Sequence, residues 1–409
     1  MLTTADAYNP IITSVLASRP AVGGSVEAAL AEVLGASTKA TPTAANLPRA
    51  FAHVLLEYFD FSTSSMVSKP IQAMPSLQKT AFYDASTAVI KRDEPLQTAL
   101  TDLVEGKAAY KTLQSNLAIA LVDLSGDKFA PRYAGINDAS NFYSGSAAKI
   151  CGLLAAYQLA ANINVFLGAG PPIASMGELE TEIDKEWNRL GVSKDRPAVS
   201  RVLQFHAGSP PTVTLRTELL SRFDAISAGN ENGSTAVVLL RFPFIASTML
   251  AHGLFSRETK SGLWLNRAYG PIHYPTSADP ERSIPNWSAS AEDPFPAAPV
   301  HCVSAIAAAQ FFTLAAQGRL IGAAASQAIL RHLRLDLGGC ADADPDLDLT
   351  ALQSTGVISA KCGFFEDVWH IPLYFKHSTS EREFVVVILT SGHHAGVVKE
   401  LFADLVALV

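Results

Sequence analysis

Ser146 and Lys149 stand three residues apart in Tyr143-Ser-Gly-Ser146-Ala-Ala-Lys149, and the stretch that follows, Ile150 to Leu159, is apolar nearly all the way round. A serine hydroxyl is a poor nucleophile until its proton is removed. A lysine amine removes that proton only when burial or a neighbouring cation has lowered its pKa. Three-residue spacing at the start of a helix puts both side chains on one face. The helix N-terminus adds backbone N–H groups and a positive dipole, which suit an oxyanion forming on an attacked carbonyl. One turn of helix thus offers a nucleophile, Ser146, a proton acceptor, Lys149, and half an oxyanion hole.

Spacing alone has a plainer reading, a helix-capping serine followed by a surface lysine. Ser76-Leu-Gln-Lys79 has the same pattern, but Ser76 follows Pro75 in a polar stretch with no strand before it. Ser146 sits differently, between a strand hairpin and a buried helix. Asn116-Leu-Ala-Ile-Ala-Leu-Val-Asp-Leu-Ser-Gly126 is a short apolar run closed by a turn, and a second strand is expected around Tyr133. The helix after Lys149 lacks a polar face and is therefore expected to be buried.

Upstream, residues 1–115 show apolar residues at helical spacing in Val26–Leu34 and Phe51–Tyr58, interrupted by the Thr/Pro/Ala-rich Thr38–Pro48, and are expected to form a mostly helical extension. Helical patterns dominate from about residue 160 to 345, including Cys302–Gln317 and Ala323–Leu333. Gly356–Lys361, His370–Phe375 and Glu383–Thr390 then read as three consecutive strands, and Ala395–Val409 as a closing amphipathic helix. Short-linked strands pair antiparallel, so the expected fold is α+β over residues 116–409. Its sheet is assembled from two distant parts of the chain, with a helical subdomain inserted between them.

Two more polar groups punctuate this framework. Asn230-Glu-Asn232 precedes Gly233 in the helical region, and Lys361-Cys-Gly363 ends the first of the three late strands. By residue type alone, the first is equally an ordinary turn that opens a helix, and the second a strand-end lysine at the surface. Taken in order, with Ser-x-x-Lys on a buried helix, the three groups resemble the motifs of the serine β-lactamase and penicillin-binding-protein superfamily. The resemblance covers roughly residues 116 to 409.

It implies a β-lactamase/transpeptidase-like fold and an acyl-serine mechanism on an amide, lactam or ester of a small or peptide-like substrate, without a cofactor or metal. Ser146 would be acylated and Lys149 would be its base, while Asn230 would relay a proton to the leaving group. Asn232 would orient the substrate amide. Lys361 would bind a substrate carboxylate or lower the pKa of Lys149, and the N–H groups of Ser146 and Phe364 would hold the oxyanion. Cys362, Gly363 and Phe364 would line the substrate site.

Departures from the pattern matter equally. Cys362 replaces the usual Ser or Thr, and Asn230 cannot ionise. The deacylating glutamate of a Glu-x-x-Leu-Asn loop is absent, because Gly262-Leu-Trp-Leu-Asn266 has glycine in its place and Glu258 is out of register. A long-lived acyl-enzyme and poor β-lactam hydrolysis are therefore expected. The alternative is a degraded site of the same fold that binds a ligand or partner without turnover.

Composition narrows the remaining classes. Of 409 residues 48% are hydrophobic and 17% charged, which suits a packed globular chain, and the net charge of −7 includes no Lys/Arg block of the kind nucleic acid requires. The N-terminus lacks the basic head and apolar run of a secretory leader, so a cytoplasmic location is expected, or export with the leader absent. No apolar run is long enough in the sequence to signal a membrane span. Cys151, Cys302, Cys340 and Cys362 lie far apart and are expected to be mostly plain thiols. Asp342-Ala-Asp344-Pro-Asp346-Leu-Asp348 lacks the glycine and bidentate glutamate of a calcium loop. His393-His394 has no matching ligand pattern, and Gly168-Ala-Gly170-Pro171 is no dinucleotide loop.

Overall fold

The computed structural model describes residues 91–169, 172–190, 197–224, 239–241, 244–245, 248–249, 252–256, 261–265, 301–335, 349–365, 368–391 and 395–409. In chain order the first elements are β1 (Lys91–Arg92), α1 (Glu94–Gly106), α2 (Ala108–Leu113), β2 (Leu117–Asp123), β3 (Arg132–Ile136) and β4 (Asn141–Phe142). A 3-10 turn (Gly145–Ala148) leads into α3 (Lys149–Ala169), α4 (Met176–Leu190), α5 (Val199–Val202), β5 (Leu203–His206), β6 (Thr212–Leu215) and α6 (Thr217–Asp224). Short strands β7 (Phe255–Ser256), β8 (Ser261–Gly262), β9 (Trp264–Leu265) and β10 (His301–Ser304) precede α7 (Ala305–Ala316), α8 (Ala323–His332) and α9 (Thr350–Gln353). The chain closes with β11 (Gly356–Ala360), β12 (Gly363–Phe365), β13 (Val368–His377), β14 (Glu383–Ser391) and α10 (Ala395–Ala407).

Seven of these strands make one mixed sheet in the order β1-β3-β2-β14-β13-β11, with β12 also on β13, so the early hairpin and the late strands join across β2 and β14. All neighbours are antiparallel except β1 and β3. Strands buried on both faces read as unbroken apolar runs, which is why Leu117–Val122 and Phe384–Leu389 show no polar alternation. Ala118, Ala120, Val122, Val385, Val387 and Leu389 pack into one core with α3 and α7. Leu117, Ile119, Leu121, Phe384, Val386 and Ile388 pack into a second core with α1 and α10. The architecture is three-layered, helices on each face of the sheet.

Helix α10 buries Val398, Leu401, Phe402 and Leu405, an i, i+3, i+4, i+7 stripe as the sequence pattern predicts. Helix α1 buries Leu96, Leu100 and Val104 in the same core, and Asp93 caps it by accepting the Leu96 N–H at 2.9 Å. Residues 91–113 therefore pack into the same core as the strands that follow residue 116. Residues 1–90, the remainder of the expected extension, lie outside the described residues.

Between the two halves of the sheet the insert is mainly helical but contains the β5–β6 hairpin and the small β4-β10-β9 sheet. The expected helix from Cys302 begins instead at Ala305, after a strand. Ser304 ends that strand and caps α7 by accepting the Ala307 N–H. Gly145–Gly168 is long and apolar enough to cross a bilayer, yet most of it is buried inside the protein. It is the core helix expected from its lack of a polar face.

Candidate active site

Strand β4 ends at Phe142, paired with Val303 of β10, and the chain enters the 3-10 turn that contains Ser146. The turn is closed by the Ala147 N–H donating to the Ser144 carbonyl at 3.0 Å. Lys149 follows as the first residue of α3, so Ser146 and Lys149 lie within one turn of each other, as their spacing predicts. The first turn of a helix has N–H groups with no acceptor inside the helix, and Ser146 stands in it.

Strands β11 and β12 form one edge of the large sheet, both on β13 in continuous register. The break between them falls at Lys361–Cys362, opposite Pro372. Lys361 donates its N–H to the Pro372 carbonyl at 3.3 Å, but proline has no N–H to return, so the ladder is interrupted there. Antiparallel ladders alternate inward and outward N–H groups. With Lys361 pointing its N–H at β13, and Gly363 doing likewise, the N–H of Phe364 points to the opposite side, where the Ser146 turn lies.

The two backbones touch. A Cβ on Gly363 would lie 2.6 Å from the Ser144 oxygen and 3.0 Å from the Ala147 nitrogen, and a Cβ on Gly145 would lie 3.4 Å from Gly363 Cα. Glycine at 363 is thus required by the close approach of turn to strand. The contact brings Ser146, Gly363 and Phe364 into one place although about 215 residues of chain separate them.

Lys149 is 3% exposed and Lys361 2%. Surface placement of Lys361, open on residue type alone, is excluded. Its ammonium donates to the Cys362 carbonyl at 3.1 Å. Burial, and then the Lys149 ammonium, push the Lys361 pKa down to about 7. Like charges influence one another only at close range in a folded protein, so both lysines belong to the same cluster.

The remaining expected site residues divide into two groups. Asn230, Asn232 and Glu258 lie outside the described residues, as do Asp342–Asp348 and His393-His394. Cys362 is corrected: its sulfur is in a disulfide, and the residue is buried with Ile358 and Ala360 in the core that contains α1 and α10. It therefore offers no thiol to a substrate. Cys151 and Cys302 are free thiols, as expected, and Cys340, the fourth cysteine of the chain, lies outside the described residues.

Gly262 has a physical reason to be glycine. It sits at φ +137°, and a Cβ there would come within 2.1 Å of the Leu254 oxygen. Its N–H donates to Asn141 Oδ1 at 3.0 Å, tying this hairpin to the strand that leads to Ser146. No glutamate fits at that position.

Two buried histidines next to the turn belong to no motif and were not singled out in the sequence. His301 of β10 shares a 2.6 Å hydrogen bond between its Nδ1 and the Ser144 hydroxyl. His370 of β13 reaches the Tyr143 carbonyl. The available signal is indirect: each stands between apolar neighbours, in Pro299-Val-His301-Cys-Val303 and in Trp369-His-Ile-Pro-Leu373.

No family model and no curated protein matches the chain. Among solved structures, it is similar to a β-lactamase from Sphaerobacter thermophilus at 14% identity, over 77% of this chain and 96% of that one, with a TM-score of 0.44. A β-lactamase from Chitinophaga pinensis gives 11% identity, 77% and 97% coverage and a TM-score of 0.44. The chromosome-encoded β-lactamase of Vibrio parahaemolyticus gives 10%, 76%, 97% and 0.44.

Proposed function

We propose that the protein is a serine hydrolase or acyltransferase that acts on an amide, lactam or ester through an acyl-Ser146 intermediate. The observation that carries this reading is the backbone contact between the Ser146 turn and the Gly363–Phe364 strand. It sets two N–H donors on facing segments beside a hydroxyl and a buried amine, the parts an acyl transfer needs.

In this mechanism the Lys149 amine takes the Ser146 hydroxyl proton as Oγ attacks the substrate carbonyl. The carbonyl oxygen gains the electron pair and is held by the Ser146 and Phe364 N–H groups. Collapse of the tetrahedral adduct reforms the carbonyl and breaks the bond to the leaving group, which departs with the proton held by Lys149, and an ester is left on Ser146. Lys361 lies beside Lys149, and repulsion between the two ammonium groups favours a pair in which one amine is neutral. Gly262 cannot carry a deacylating carboxylate, so the ester persists unless another group activates water or a different acceptor reaches it.

The test is covalent labelling of the full chain by a fluorescent penicillin and by a fluorophosphonate, read as added mass on the intact protein. One equivalent on the wild type, none on Ser146→Ala and little on Lys149→Ala supports the reading. Absence of label from both probes on folded wild type refutes it and favours a binding protein without turnover.

A further inference from the structure

His370 touches both halves of the candidate site. It lies on β13 directly opposite Gly363 of β12 and is fully buried. Its Nδ1 faces the backbone N–H of Thr390 at 3.3 Å, and its Nε2 faces the Tyr143 carbonyl at 2.5 Å. Phe142 stands edge-on to the ring, with centroids 6.0 Å apart.

The two partners fix the tautomer. A backbone N–H only donates, so Nδ1 accepts and carries no proton. A carbonyl only accepts, so Nε2 carries the proton and donates. Both nitrogens are committed, and a second proton on Nδ1 would meet the Thr390 N–H head on. The ring is thus a neutral, non-titrating strut, and burial holds its pKa near 3. It has no lone pair or proton to give to chemistry.

We propose that His370 is a positioning residue for acylation: by donating from Nε2 to the Tyr143 carbonyl it sets the height of the Ser146 turn over Gly363 and Phe364. The inference rests on the acyl-Ser146 reading. One imidazole spans β14, β13 and the loop three residues before the nucleophile, so moving it displaces the nucleophile relative to one of its two oxyanion donors. Loss of the donor would let the turn shift by a fraction of an ångström to an ångström, a displacement that costs on the order of 100-fold in a positioned reaction.

Two substitutions separate positioning from bulk stability. His370→Gln can place an amide N–H near the position of Nε2 and keeps the bond to Tyr143. His370→Asn is too short for that, and its amide oxygen can still accept from Thr390. Measured on the full chain are the second-order rate of Ser146 acylation by the fluorescent penicillin, the affinity of the complex before acylation, and the melting temperature. The expected result is acylation about 100-fold slower in His370→Asn with the pre-acylation affinity retained, while His370→Gln keeps most of the rate at a similar melting temperature. Equal slowing of the two variants in step with melting temperature, or a wild-type rate in folded His370→Asn, overturns the proposal. Long-range nitrogen–proton NMR of the wild type gives a variant-free check: the Nε2–H tautomer should persist from about pH 5 to 9, and a ring that titrates or carries Nδ1–H overturns it. Wild type unlabelled at Ser146 sinks the acyl-serine reading and this role with it, whereas labelled wild type beside an unaffected His370→Asn sinks the role alone.

Discussion

Replacing Lys361 by methionine keeps the length and packing of the side chain and removes its charge. Lys361 is buried beside Lys149, and its pKa falls from 10.5 to about 7. The folded state therefore binds fewer protons here than the unfolded state between about pH 7 and 10.5, so stability rises with pH across that window. Below about pH 7 the whole penalty is present, about 5 kcal/mol for a shift of this size. By pH 9 about 2 kcal/mol of it remains, so this group alone should make the wild type about 3 kcal/mol more stable at pH 9 than at pH 6. Lys361→Met should lack that rise, because nothing at the position titrates and Lys149 loses its like-charged neighbour. Urea unfolding of both proteins at pH 6, 7.5 and 9 measures the difference, and most other titrating groups cancel between the two curves. The variant should be the more stable at pH 6, by a margin that shrinks as pH rises, and it should also acylate slowly. Parallel stability curves would refute the reasoning, since they would mean that Lys361 titrates alike in the folded and unfolded chains.

Gly363→Ala puts a methyl group 2.6 Å from the Ser144 carbonyl oxygen, a backbone atom that cannot swing away. It should lower stability by about 1–3 kcal/mol and suppress labelling of Ser146, both read on one preparation by thermal melting and intact mass. Leu100→Ala, on α1, should cost about 2–5 kcal/mol of unfolding free energy if residues 91–113 are part of the domain. A negligible change would detach that helix from the fold. Alkylation of the unfolded, unreduced chain should label Cys151 and Cys302 and leave Cys362 unlabelled until the chain is reduced. Labelling of Cys362 without reduction would remove its disulfide.

Much of this organisation is legible in residue order because the signals are local. Leu117–Asp123 and Glu383–Ser391 announce strands by unbroken apolar runs, and Val398, Leu401, Phe402 and Leu405 announce a helix by their spacing. Ser146 and Lys149 are legible for the same reason, being three residues apart on one turn. Lys361 is harder, because its burial depends on the ladder break opposite Pro372 and on a turn far away in the chain. The helix α1 was assigned to an appendage since an amphipathic stripe says that a face is covered and not what covers it. Cys362 was misread for a related reason. A cysteine at a motif position has no spacing that reveals a disulfide partner, and strand alternation, which places it with Ile358 and Ala360, outweighs the motif in deciding which face it takes.

The histidines were missed because their role comes from the position of a backbone and not from any motif. A strand-to-helix junction that aims a hydroxyl at a neighbouring strand must leave carbonyls and hydroxyls buried without regular ladder partners, and each such group costs about 1–3 kcal/mol if unmet. His370 meets the Tyr143 carbonyl and His301 meets the Ser144 hydroxyl. An imidazole suits the task better than lysine or arginine, because it can donate and accept at once while neutral, and the cluster already holds two buried lysines. A third cation there would raise the repulsion that lowers the Lys361 pKa and would further destabilise the fold. The chemistry proposed for Ser146 therefore depends on how the Lys149–Lys361 pair shares its charge and on His370 staying neutral beside it.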